Sequence, residues 1–345
     1  MTKSKSKLFS HDPERLAKWH KVLAGGMSVP IGTSPRDPIY QRDILTVYKY
    51  RRETPAIHET PILLIYSLIN RPSVLDLQPT RSVVESLLNA GYEVYLLDWG
   101  TPDPLDQMLS LEDYINTFIR TAVRRVCIDA GLEQIHLLGY CMGGTMSAMY
   151  TALYPERVKN LLLLGTPLNF RSKNLLYRWS CNQELFDVNK IVDAWSMAPP
   201  WSFDGYSLLT IESKPQKLIN LYENIDDPEF LESFLATEQW VNDNIPLAGA
   251  TFAEFCTKCF VENQLCEGRM EIGGKPIKLE SITCPVLIIA GEADHLVPPE
   301  TVGHDPKLFP NSESIFFKAG HIGLSISRNA HKKLWPQVAE WLAKR

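Results

Sequence analysis

Residues 136–150 read HLLGYCMGGTMSAMY, with Cys141 in a Gly-x-Cys-x-Gly frame between an apolar run and a helix-forming one. A nucleophile held at a sharp strand-to-helix turn needs small neighbours, because the turn is tight and the helix must pass close to the sheet. Gly139, Gly143 and Gly144 supply that room. The turn also aims a helix N-terminus at the reacting carbonyl, so the Met142 backbone N–H is expected to be one oxyanion donor. The same helix end favours a thiolate.

A nucleophilic thiol needs a base, and the base needs an acid to orient it. In this kind of fold the acid precedes the histidine in the chain, and each follows a core strand. Asp294 follows VLIIAGEA and His321 follows SIFFKAG, in the last loop before the final helix. His295 adjoins Asp294 but would point elsewhere, His136 opens the elbow strand, and His11, His20, His58 and His331 lie in polar or helical stretches. The second oxyanion donor is expected from the loop after PILLIYSLI, as Leu68 or, alternatively, Ile69. Trp99 and Tyr140 flank the predicted site, where they either line an acyl pocket or pack beside the sheet.

These residues require a frame of strands alternating with helices. PILLIYSLI (61–69) and EVYLLDWG (93–100) are short apolar runs closed by turn residues, with the helical RSVVESLLNAG between them. A helix over 111–130, the strand IHLLGY, a helix over 143–154 and the strand VKNLLLLGTP follow. This alternation predicts a mostly parallel sheet covered on both faces. It breaks from about 170 to 280, in aromatic-rich helical stretches holding Trp179, Trp195, Trp201 and Trp240, and resumes with CPVLIIAGEAD and ESIFFKAGH. The expected organisation is an arm over 1–40, an α/β core over 41–170 and 281–345, and a helical cap over 171–280. In the arm, Asp12-Pro13 reads as a helix start, and Leu16, Trp19 and Leu23 recur at helical spacing. That helix either packs on its own core or contacts a partner.

The chain has 345 residues, 45% hydrophobic, with a formal charge of -5. Nothing in it forms a basic footprint for nucleic acid. No apolar run approaches the roughly 18 residues of a membrane span. MTKSKSKLFS carries no apolar segment of a secretory signal, and seven cysteines suggest free thiols in a reducing cytoplasm. Cys256, Cys259 and Cys266 are spaced C-x2-C-x6-C, but no fourth ligand is near, and no metal or cofactor is expected.

A cysteine attacking an acyl thioester exchanges one thioester for another, so the acyl group stays activated for transfer. Serine would form the more stable oxygen ester. Thiol chemistry at the elbow therefore points to acyl transfer from coenzyme A, with the aromatic cap excluding water. LINRPSVLDLQPTRSVV, VYLLDWGTPD, GYCMGGT, QWVNDNIPLAG, GEADHLVPP and AGHIGLSIS, in that order, resemble the catalytic subunit of polyhydroxyalkanoate synthases over nearly the whole chain. The resemblance implies an α/β-hydrolase fold and polymerisation of (R)-3-hydroxyacyl-CoA. It implies that Cys141 carries the acyl chain, that His321 is the general base and that Asp294 helps activate the attacking 3-hydroxyl. The short N-terminal region resembles the two-subunit synthases, which implies a second subunit of E- or R-type, a homodimer, and work at polyester granules in the cytoplasm. The rivals are a cysteine hydrolase of the same fold, which would share the triad, and a non-catalytic binding subunit, which would not need it.

Overall fold

The computed structural model describes residues 12–345 except 183, 185, 201–213, 304 and 306. Eight strands form the main sheet: β1 Arg36–Arg42, β2 Leu45–Tyr50, β3 Ile62–Ile65, β4 Val94–Asp98, β5 Ile135–Tyr140, β6 Val158–Leu164, β7 Val286–Gly291 and β8 Ser312–Phe317. Their order across the sheet is β1-β2-β4-β3-β5-β6-β7-β8. The β1–β2 and β2–β4 pairs are antiparallel, and every later pair is parallel.

The apolar runs become strands because both faces of the sheet are covered. Alternate residues feed two cores. Leu63, Ile65, Leu137, Leu161 and Ile288 face one, with α3 (Arg120–Ala130) and α4 (Met142–Leu153). Ile62, Leu64, Leu138, Leu162 and Ile289 face the other, with α2 (Val83–Asn89) and α11 (Trp335–Ala343). Full burial of each such side chain contributes about 1.5–3 kcal/mol, enough to hold the strand ends that carry the site.

Three boundaries differ from the sequence expectation. The sheet starts at Arg36, inside the segment expected as an arm, because the edge hairpin partner RDPIYQR lacks an apolar alternation and carries Pro38. PILLIYSLI leaves the sheet after Ile65, since the Tyr66 carbonyl accepts from the Trp99 indole (2.9 Å) instead of a strand. The helix expected over 111–130 is π-helical over Asp113–Ile119 before becoming α3.

Between β6 and β7 the described chain builds α5 (Leu175–Ser180), α6 (Val188–Trp195), α7 (Lys214–Asn224), α8 (Pro228–Val241) and α9 (Gly249–Glu254). A π-helical turn over Phe255–Val261 and two short ribbons complete this insert. The N-terminal helix α1 (Pro13–Leu23) starts at Asp12, whose carboxylate accepts from Glu14 and Arg15 N–H. Its Val22 and Trp19 pack with Leu221, Ile225, Leu231 and Leu235 of α7 and α8 and the turn joining them, and Arg15 pairs with Asp226 at 2.6 Å. On the face carrying Trp19 and Val22, the helix packs internally. The last turn of the sheet is followed by α10 (Gly323–Ile326).

Candidate active site

Cys141 stands between β5 and α4 with φ 55° and ψ -128°. A residue with a β-carbon takes this conformation only when its surroundings fix it. They do: the Cys141 N–H donates to the Leu164 carbonyl (2.9 Å), and its own carbonyl accepts from Gly144 N–H (2.9 Å). The neighbouring glycines are required by space. A β-carbon on Gly139 would lie 2.4 Å from the Gly144 Cα, and one on Gly143 would lie 2.4 Å from the carbonyl oxygens of Ile65 and Tyr66. One on Gly144 would lie 1.9 Å from the Thr166 hydroxyl oxygen.

Asp294 and His321 reach the same point from the loops after β7 and β8. Those loops are drawn together by Glu292 N–H to the Phe317 carbonyl (2.8 Å) and Ala293 N–H to the Ala319 carbonyl (3.1 Å). The buried Asp294 carboxylate accepts from Leu296 N–H (2.9 Å) and Val297 N–H (2.7 Å) through Oδ1, and its Oδ2 lies 2.7 Å from His321 Nδ1. Burial works against the imidazolium, yet the charges of Asp294 and Cys141 and the hydrogen bond to Asp294 outweigh it, and the His321 pKa is pushed up to about 10. Asp294 and His321 are therefore in direct contact, and Cys141 is near enough for its charge to act on the ring.

The predicted oxyanion donors are placed as follows. Met142 is the first residue of α4, and Leu68 and Ile69 lie in the loop that replaces the end of β3. Among the described residues no acceptor takes the N–H of Met142, Leu68 or Ile69. Leu68 packs its side chain into the core, whereas Ile69 faces the cavity beside Cys141. The loop is fastened from the insert: Asn70 bridges Asn244, Ile245 N–H donates to the Ile69 carbonyl (2.9 Å), and the Trp240 indole donates to the Arg71 carbonyl (2.8 Å).

Trp99 and Tyr140 do not line that cavity. Trp99 is buried edge-on against Tyr114, its indole committed to the Tyr66 carbonyl. Tyr140 is wholly buried behind His321. A strand alternates its side chains, so the neighbour of an elbow residue points into the layer behind it.

The cavity at Cys141 measures about 70 Å³. Met142, Pro167, Leu296 and Val297 form its core side, and Leu247, Phe252, Phe255, Cys256 and Phe260 close it from the insert, with Leu176 and Tyr177. The sequence reading missed these wall residues. Its emphasis on tryptophans misplaced the aromatics, since Trp195 is 58% exposed, Trp240 braces the loop, and Trp201 lies outside the described residues. The signal was the apolar spacing within residues 249–261. Cys256, read as part of a spaced cysteine cluster, is a wall residue whose thiol burial pushes up to about 12, and Cys259 is buried in the same core. A larger hollow of about 400 Å³ between α3 and the far end of α4 contains no predicted site residue.

Residues 60–325 match the family model described as alpha/beta hydrolase fold, and residues 26–87 match the one described as Poly-beta-hydroxybutyrate polymerase (PhaC) N-terminus. The chain is 37% identical over 344 residues to the poly(3-hydroxyalkanoate) polymerase subunit PhaC of Thiocystis violacea, covering 96% of this chain and 94% of that one. Its counterpart in Allochromatium vinosum is 36% identical, with the same coverage. The Haloferax mediterranei subunit is 41% identical over 92% of this chain, which spans 65% of that longer protein. Among solved structures, a putative lipase from Sulfolobus solfataricus superposes with a TM-score of 0.56 at 18% identity, covering 89% of this chain and 97% of that one, a likeness of fold alone. An eight-stranded, mostly parallel sheet with an elbow cysteine, and relatives this similar over nearly full length, place the chain in the α/β-hydrolase fold and in the poly(3-hydroxyalkanoate) polymerase PhaC family.

Proposed function

We propose that this chain is the polymerising subunit of a poly(3-hydroxyalkanoate) synthase. It moves (R)-3-hydroxyacyl groups from coenzyme A to a growing polyester through a thioester at Cys141. The observation that carries the reading is an elbow cysteine, Cys141, opening on a small apolar cavity, with the hydrogen-bonded Asp294–His321 pair supplied by the loops after β7 and β8, in a chain of this family.

His321 takes the Cys141 proton, and the sulfur attacks the thioester carbonyl. The oxyanion rests on the Met142 N–H and on that of Leu68 or Ile69. The C–S bond to coenzyme A breaks, and its sulfur leaves with the proton from His321. In the second half, His321 takes the proton of a 3-hydroxyl, whose oxygen attacks the Cys141 thioester; a C–O bond forms, the C–S bond breaks, and the proton returns to the sulfur. Asp294 serves by orienting the ring, and its second oxygen is already occupied by two N–H groups. No cofactor enters these steps.

We also infer that it works with a second synthase subunit, as a homodimer, at granule surfaces in the cytoplasm. The relatives are polymerase subunits by name, which supports the second subunit. No helix of the described residues is long and apolar enough to cross a membrane. The test is coenzyme A release from (R)-3-hydroxybutyryl-CoA, with and without a partner subunit, for wild type and Cys141→Ala. Polyester with at least ~10³-fold loss in the variant is the expected result. Free 3-hydroxybutyrate as the sole product would make the protein a hydrolase instead.

A further inference from the structure

Asp294 holds His321 by one edge only. A single Nδ1 contact leaves the imidazole free to swing about that axis, and a base aimed at sulfur cannot afford such a swing. The structure supplies a second constraint from the residue before the nucleophile. The Tyr140 ring lies stacked on the His321 ring, with centroids 5.0 Å apart and planes 29° from parallel. Its hydroxyl donates to the His321 carbonyl oxygen at 2.9 Å. One side chain thus grips both the ring and the main chain of the same histidine.

Tyr140 is itself fixed from behind. Its ring sits wholly buried in the core beside the sheet. Its ring is met edge-on by Tyr66 at 5.4 Å, and the Tyr66 hydroxyl donates to Asn70 Oδ1 at 2.9 Å. Gly165 leaves no slack: a β-carbon there would lie 3.1 Å from His321 Cε1 and 3.4 Å from Tyr140 Cε2. Among the described residues the His321 carbonyl receives otherwise only the longer bond from Leu324 N–H, at 3.3 Å.

We propose that Tyr140 is a positioning residue that sets the plane and depth of the His321 imidazole relative to the Cys141 sulfur, so that one dipeptide at the end of β5 delivers both the nucleophile and the seat of its base. This rests on the reading of Cys141 and His321 as a working pair. Tyr140→Phe keeps the stack and removes the hydroxyl; Tyr140→Leu removes both.

The experiment follows iodoacetamide alkylation of Cys141 against pH in the full-length chain. Peptide mass analysis separates Cys141 from the other six thiols, and His321→Ala and melting curves serve as controls. Tyr140→Phe is expected to lower kcat about tenfold with KM within about twofold, and Tyr140→Leu to lower it ~10²-fold. Both should move the alkylation profile towards that of His321→Ala, and the proton signal of the His321 Nδ1–H should broaden in Tyr140→Phe. Should Tyr140→Leu not fold, Tyr140→Phe decides. Wild-type kcat and profile in Tyr140→Phe, while His321→Ala loses both, would overturn the role of Tyr140 alone. A wild-type profile in His321→Ala would overturn the working pair, and the positioning role with it.

Discussion

Cys141 occupies a backbone conformation that costs roughly 1–3 kcal/mol for a residue with a side chain, and the elbow offsets it with two backbone hydrogen bonds and three glycines. His321 has the opposite balance, since its charged form is held by its neighbours. Its folded pKa of about 10 lies above the ordinary histidine value of 6.5, so the folded state binds the proton more tightly than the unfolded chain. That contribution is fully present below pH 6.5 and is lost as pH rises through about 10. The melting-temperature gap between wild type and His321→Gln should therefore narrow steadily from pH 6.5 to 10. A gap that does not change with pH would show that the imidazolium is not held. Cys141 and Asp294 were readable as candidates because each comes at or shortly after the end of a fully buried strand, and His321 because it stands in the glycine-flanked loop after the edge strand β8. The choice between Leu68 and Ile69 was not, because the apolar run hides where β3 stops pairing.

Among the elements, the loop after β3 depends on the insert. Trp240, Asn244 and Ile245 fasten the backbone of Ile69, Asn70 and Arg71, next to the N–H groups that would face an oxyanion. Trp240→Phe preserves most of the packing and removes the bond to the Arg71 carbonyl, at a cost of about 1 kcal/mol. We expect kcat to fall roughly three- to tenfold while KM holds, since a loosened donor is felt chiefly in the transition state. Steady-state kinetics would check this, and a change confined to KM would point to substrate binding instead. The alternation of strands and helices was readable from short apolar runs and their stop residues. The wall of Phe252, Phe255 and Phe260 was not, because an apolar helix face looks the same whether it meets a core or a cavity.

On the scale of the molecule, the N-terminal helix and the insert form one unit. Trp19 and Val22 of α1 share a cluster with residues of α7 and α8, and the Trp19 ring meets Tyr222 edge-on at 6.4 Å. Trp19→Ala should cost about 2 kcal/mol, felt first in the insert. Hydrogen exchange should speed up over residues 214–241 while β3, β5 and β6 stay protected. Equal loss of protection in the sheet would show that the insert and core unfold together. The apolar period of α1 was legible, but what it packs against was not, because its partners lie some 200 residues further along the chain.

The cavity of about 70 Å³ at Cys141 has room for a handful of water molecules. A polyester of even a few units cannot be stored there, so under the proposed reaction each added unit must push the previous ones outward. Product length is then a race between the next transfer and release, since this cavity gives the polymer no room in which to be measured.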